Sequence, residues 1–317
     1  MTNKNRRILL ASLLLAVTSL IVSFGVFKAG SSQETSALVA TQRAGEVLPQ
    51  AAPPQEVLGS NTAVQNSTKT VAKKVVIKSS NDLVNSGFSR QIVKNSRGAF
   101  TVSYYVTNSD TTRVVIDTAS DSDCEANCPA KPLEEYVRRN NGLAGINGGY
   151  FCPPDYSFCS GRVNNFDTLV MNKNKQTFNL DHNYKTSPVP LMVVSGGDIT
   201  FYDHTSEWSL DKSRDGVLGN HPMLVRGGRS VVNEGALEEK LRSGRGSKGF
   251  IGKKGNRIII GVVHSATVPE EASVLETLKV EYGLNLDGGG STALFSDGSY
   301  KLGPGRLLPV AVVLVRK

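Results

Sequence analysis

The chain has 317 residues, 39% of them hydrophobic and 20% charged, and a formal net charge of +8. That balance excludes a wholly disordered chain and a polytopic membrane protein, and the length gives room for one large domain or two modest ones. The 31 glycines argue for turns, strands and close backbone approaches over a helical bundle.

In chain order, the first predicted element is the uncharged apolar run Ile8–Phe27, preceded by Lys4, Arg6 and Arg7. It is long enough to span a bilayer, and it also has the charged and apolar regions of a secretory signal. The flanking cations put the N-terminus in the cytoplasm and the rest of the chain across the membrane. Residues 1–28 are therefore expected to be a signal anchor or a signal peptide, with an anchored or secreted product. The stretch 29–74 has no Phe, Tyr or Trp and is rich in Ala, Ser, Thr, Gln and Val. It cannot bury enough apolar surface to fold and reads as a flexible linker.

Residues 75–317 read as a single α+β domain, a mixed and mainly antiparallel sheet with a few packed helices. Strand-like runs are Ala99–Val106, Arg113–Asp117, Phe166–Met171, Pro190–Val194, Asp198–Tyr202, Arg257–Val263 and Leu308–Val315. The last two are nearly continuous apolar runs, as expected of central strands buried on both faces. Helices are predicted over Pro132–Arg139 and Val268–Tyr282. Thr267 and Glu270 make a capping box for the second, and Gly283 is its expected stop.

The four cysteines, Cys124, Cys128, Cys152 and Cys159, suit an exported chain. Four cysteines allow three pairings; local pairing of Cys124 with Cys128 and Cys152 with Cys159 closes two short loops. A four-thiolate zinc site is the alternative, without the usual C-x2-C knuckles.

Two glycine turns could carry chemistry. In Asn285–Leu294 a short strand delivers Asp287 to Gly288, Gly289 and Gly290, followed by Ser291 and Thr292. Exposed N–H groups there can hold an oxyanion, and Asp287 can act as acid, base or metal ligand. The same residues also suit a tight turn with a capping Asp. In Gly145–Phe151, Asn147 and Gly148 precede Tyr150 and Phe151, which can stack on a sugar or belong to the core. His264 ends an apolar strand beside a loop, and His221 lies in a turn. Seven cations between Lys240 and Arg257 could face an anionic substrate or form a solvated loop. No nucleic-acid-binding signature accompanies them, so nucleic acid is not an expected partner. No H-E-x-x-H, G-x-S-x-G or P-loop pattern occurs.

In this order, Asn147–Phe151, His221–Arg226, Lys248–Gly252, Arg257–Ser265, the Thr267 helix and Asn285–Thr292 resemble the phosphodiester glycosidase family. The resemblance spans Gly145–Lys317, and its most specific part is the Asn285–Thr292 turn. It implies a hydrolase that cleaves a sugar-1-phosphodiester, or a related glycosidic bond, in an envelope or extracellular glycan. Its implied partner is a phosphorylated or anionic carbohydrate. Asp287 and His264 would be catalytic. Lys248 and Arg245 would neutralise phosphate. Asn147, Gly148, Tyr150, His221, Gly288, Gly289, Gly290, Ser291 and Thr292 would bind substrate. Two positions depart from the family: Lys248 stands where Arg is usual and His264 where Asp is usual. The sequence requires no cofactor and leaves a divalent cation open. The second function class is a non-catalytic envelope protein that binds an anionic glycan on the same surface.

Overall fold

The computed structural model describes residues 78–180, 187–209 and 211–317. The apolar run Ile8–Phe27 and the linker expected over 29–74 lie outside the described residues. Among the described residues, no helix is long and apolar enough to cross a membrane.

Three sheets dominate, and their strand pairs are almost all antiparallel. The largest runs, edge to edge, through Lys78–Ser79, Gly87–Asn95, Gly98–Asn108, Arg257–Ala266, Gly246–Lys254, Tyr282–Asn285, Met223–Arg226 and Arg229–Ser230. A five-stranded sheet orders Ser299–Leu302, Leu294–Ser296, Gly142–Asn147, Val310–Arg316 and Thr112–Thr118. Another orders Thr177–Phe178, Val170–Met171, Gly216–Gly219, Leu191–Ser195 and Asp198–Tyr202. The class is α+β.

The two long apolar strands behave as the sequence predicts. On Arg257–Ala266, Ile258, Ile260 and Val262 join the core shared with the five-stranded sheets, while Ile259 and Val263 join the core beneath a helix. On Val310–Arg316, Val310, Val312 and Leu314 face the shared core, and Ala311, Val313 and Val315 face a third cluster. Alternation with apolar residues on both sides is what a strand covered on both faces requires.

Helix α1, Leu133–Arg139, buries Leu133, Tyr136 and Val137 in that third cluster. A short turn, α2, covers Glu239–Arg242. Helix α3, Val268–Thr277, opens with the expected capping box: Thr267 Oγ1 accepts from the Glu270 N–H at 3.3 Å, and Glu270 Oε2 accepts from the Thr267 N–H at 2.8 Å. It stops earlier than Gly283. Lys279 takes a left-handed conformation at φ 57°, the Lys279 N–H bonds Glu276 O and the Val280 N–H bonds Leu275 O. This is a Schellman motif with Lys where Gly is usual. Tyr282 and Gly283, expected at the helix end, pair with Lys253 and Gly252 in the large sheet. Phe166–Met171 is likewise shorter than expected: only Val170–Met171 is strand, and Phe166 makes an isolated bridge to Phe151.

The cysteines pair locally, Cys124 with Cys128 and Cys152 with Cys159, leaving no thiol for a zinc site.

Candidate active site

The two glycine turns meet back to back. Asn147 closes its strand with a fully buried side chain. Its amide donates to Asp287 O at 2.7 Å and accepts from the Ala293 N–H at 3.2 Å. The Asp287 N–H donates to Gly148 O at 3.0 Å. A third segment is sewn in by Asn220, which accepts from the Tyr150 N–H at 2.9 Å and donates to Asn285 O at 2.8 Å. Asn285 in turn donates to the Tyr150 hydroxyl at 2.6 Å and to His221 O at 2.8 Å. Buried amides, each able to donate and accept, satisfy backbone groups that the turns would otherwise leave unpaired.

One of the three glycines is required by backbone geometry: Gly289 has φ +63°, a conformation L side chains disfavour; a Cβ on Gly290 would lie 2.8 Å from the Arg306 guanidinium, which would have to shift to admit it. The Gly288 N–H donates to Asp287's own Oδ1 at 2.9 Å, so it supports the carboxylate instead of facing a ligand.

Above these turns lies a cavity of about 450 Å³, whose charged and polar lining includes Asp287, Lys248, Lys240, Arg306, His221 and Tyr150. Burial raises the Asp287 carboxyl to about 6, against the Ser291 hydroxyl, the Gly288 N–H, Arg306 and Lys240, which all favour the anion. Burial lowers the basicity of His221 and of Lys248, partly opposed by Glu238 and Asp167 in the first case and by Glu271 and Asp287 in the second. Burial also pushes the Tyr150 hydroxyl up, keeping it protonated.

One wall belongs to the loop closed by Cys152 and Cys159. Tyr156 accepts a hydrogen bond from Lys240 Nζ at 2.6 Å, and the same ammonium lies 4.6 Å from its ring centre. Arg306 lies 5.6 Å from that ring, pairs with Asp155 and donates to Ser291 Oγ at 3.3 Å. Phe158, 70% exposed, packs on Tyr156 with ring centres 5.3 Å apart.

The structure thus gathers Asp287, Gly288, Gly289, Gly290, Tyr150, His221 and Lys248 on one cavity. Asn147, Gly148, Ser291 and Thr292 stand behind it; Thr292 Oγ1 ties the turn to Ser247 O at 3.1 Å. Arg245 reaches the lining, but its guanidinium is held by Glu270 and by Ser265 O at 2.8 Å. His264 is elsewhere. Strand alternation puts it on the face of Ile260 and Val262, where Nε2 lies 2.8 Å from Ser103 Oγ, itself bonded by Arg90. The expected partnership of His264 with Asp287 therefore has no geometric basis, and the imidazole that lines the cavity is His221.

Lys240 belongs to the basic stretch visible in the sequence. Arg306, Asp167, Tyr156 and Phe158 carry no motif. The one available signal was the short spacing of Cys152 and Cys159, which implies a closed loop without saying what the loop faces. Among the described residues, no group of three or more His, Cys, Asp or Glu could hold a metal ion.

A sequence model of phosphodiester glycosidases matches residues 140–315. No curated protein matches the chain significantly. Among solved structures, the catalytic domain of zebrafish N-acetylglucosamine-1-phosphodiester α-N-acetylglucosaminidase, auto-inhibited by its pro-peptide, is similar. It aligns with a TM-score of 0.57 at 17% identity, over 76% of this chain and 86% of that one. A hypothetical protein from Synechocystis aligns with a TM-score of 0.51 at 15% identity, over 73% of this chain and 62% of its own. At these identities the likeness establishes the shared fold.

Proposed function

Because the chain belongs to the phosphodiester glycosidase family, we propose that its cavity hydrolyses a sugar-1-phosphodiester of an envelope or extracellular glycan. The observation that carries this reading is a carboxyl tuned to about 6 that lines one cavity together with Lys240, Lys248 and Arg306. Cleavage at the anomeric carbon adds water: the sugar keeps the water oxygen as its hydroxyl, and the phosphate leaves as a monoester. That leaving group is already a stable anion, so it needs cations more than a proton donor. Lys240, Lys248 and Arg306 supply them.

Asp287 then serves the other half of the reaction, taking a proton from the attacking water. A carboxyl tuned to about 6 is a stronger base than an ordinary aspartate and is still mostly ionised at neutral pH. His221, edge-on to Tyr150 with ring centres 5.0 Å apart, borders the sugar side together with Tyr150. Both disulfides fit an oxidising compartment, which supports export.

The test is Asp287→Asn, assayed on a chromogenic sugar-1-phosphodiester. The expected loss is roughly 10²–10⁴ in kcat, the usual contribution of a positioned acid or base. Near-normal turnover per folded molecule would remove Asp287 from the chemistry. A wild-type chain that binds the phosphodiester without cleaving it would favour the glycan-binding reading.

A further inference from the structure

The Tyr150 side of the cavity holds polar groups that the fold itself leaves unspent. Asp167 lines the cavity and is exposed, while its neighbours Phe166 and Thr168 are buried. Its backbone is fixed on the paired segment: the Asp167 N–H donates to Tyr150 O at 3.0 Å, and Phe166 bridges Phe151. Its carboxylate makes no hydrogen bond or ion pair among the described residues. On that segment the Tyr150 hydroxyl accepts from Asn285 at 2.6 Å, and its own proton has no acceptor among the described residues. The Asn285 amide is held in that sense by its second bond, to His221 O at 2.8 Å. The His221 imidazole, 5.0 Å from the Tyr150 ring, makes no hydrogen bond among the described residues either. An acceptor, a donor and an imidazole that can do either border one cavity. They match a ligand whose groups both donate and accept, as sugar hydroxyls do.

The cavity is also divided by charge. Lys240 and Arg306 gather on the Tyr156 ring. Lys248 runs along the glycine turn, its Cδ 3.7 Å from where a Cβ on Gly288 would lie. The charged groups that act on Asp167 are Arg162 and His221, and not these three cations. With the phosphate among the cations, the sugar falls to Tyr150, His221 and Asp167.

We propose that Asp167 is a specificity-determining residue: it accepts hydrogen bonds from hydroxyls of the substrate's sugar and turns away sugars that carry a carboxylate of their own. This rests on the hydrolase reading of the cavity. Two carboxylates brought together repel, and neither can donate a hydrogen bond to the other, so a site built this way selects by exclusion as well as by contact. Besides Asp167 and Asp287, the lining holds one more carboxylate, Glu238 at the start of α2, which serves as the comparison.

Burial raises the Asp167 carboxyl, opposed by Arg162 and His221, so the measurements are made at pH 8. Hexosyl and hexuronyl aryl phosphodiesters, alike except for the sugar carboxylate, are compared in turnover by the full chain. Their non-hydrolysable phosphonate analogues are compared in calorimetric binding. The wild type is expected to favour the hexosyl form in both. In Asp167→Ala the KM for the hexosyl substrate is expected to rise about tenfold or more, as for loss of a hydrogen bond to a charged group, with kcat changed less than about threefold. Asp167→Asn, which keeps an acceptor without the charge, is expected to recover part of that loss and to narrow the preference for hexosyl over hexuronyl about tenfold. Glu238→Gln is expected to leave that preference where it was. An unchanged KM in Asp167→Ala overturns the proposal, as does a kcat loss of about a hundredfold or more, which would put Asp167 in the chemistry. Equal use of both sugars by the wild type overturns it, and so does a preference that moves with Glu238 and not with Asp167. Unfolding of both Asp167 variants also overturns it, because the group would then serve the fold. An inactive wild type whose analogue binding depends on Asp167 in the same way would retract the hydrolase reading and leave the sugar contact standing. A wild type that neither cleaves nor binds overturns both.

Discussion

At the scale of single residues, Asp287 is pulled in two directions. Burial disfavours its charge, while Ser291, Gly288, Arg306 and Lys240 favour it, and burial prevails. The sign of the consequence follows from linkage. The folded-state value, about 6, lies above the ordinary 3.8, so the folded chain binds this proton more tightly than the unfolded one. Asp287 therefore supports folding least when ionised, and its contribution worsens as pH rises from about 4 through 6. Asp287→Asn, which keeps the acceptor for the Gly288 N–H, is expected to raise stability at neutral pH by roughly 1–3 kcal/mol while lowering kcat by roughly 10²–10⁴. Thermal melts at pH 5 and pH 8 check this: the gain should be larger at pH 8. The same titration sets an expected acid limb in kcat/KM near pH 6, absent from residual activity in the Asn variant. Asp287 was legible in the sequence because three glycines after a short strand mark a close backbone approach. Arg306 and Asp167 were not. Single charged residues away from a motif look alike in sequence whether they point into solvent, into a cavity or under a helix.

At the scale of elements, the Thr267 cap and the Cys152–Cys159 loop show how far local rules reach. The start of α3 was readable because a capping box is a four-residue code. Its end was not, because Lys at the left-handed position imitates a continuing helix and Tyr282 falls on the apolar stripe by coincidence of spacing. Thr267→Ala removes one side of the box and is expected to cost about 1 kcal/mol in chemical denaturation. The disulfide loop was readable as a loop, yet its role as a cavity wall depends on which strands stand beside it. Replacing Cys152 and Cys159 together with Ser should lower stability by about 2 kcal/mol, as the chain-entropy relation gives for a loop this short. It should also raise KM more than it lowers kcat, since Tyr156 and Phe158 shape the wall while Asp287 sits on a different turn. A kcat effect of the same size as the KM effect would show that the loop reaches the reacting atoms.

At the scale of the whole molecule, alternation along Arg257–Ala266 and Val310–Arg316 announced strands buried on both faces, and the class followed from them. Which sheet each strand joins was not legible, because periodicity fixes the face of a residue and not the identity of its neighbour. Phe250 and Tyr104 leave so little room at Gly261 that an added Cβ would sit 2.6 Å from the Phe250 ring and 2.8 Å from Tyr104 Cβ; the first neighbour comes from the adjoining hairpin strand, the second from a strand far away in sequence. Truncating the shared core, as in Ile260→Ala, is expected to cost about 2–5 kcal/mol, measured by denaturant midpoint. The amide stitching of the cavity floor carries a consequence in time. Asn147 grips Asp287 across 140 positions of chain, and Asn220 grips Asn285 across 65. Such a floor cannot assemble locally. It comes into being only when the most distant parts of the domain have found one another, and contacts of long sequence separation form slowly. Recovery of activity after dilution from denaturant should therefore coincide with the slowest phase of regained near-ultraviolet dichroism, and no fragment ending before Asn285 should show any. The site would be silent throughout the chain's folding, switching on as the last act.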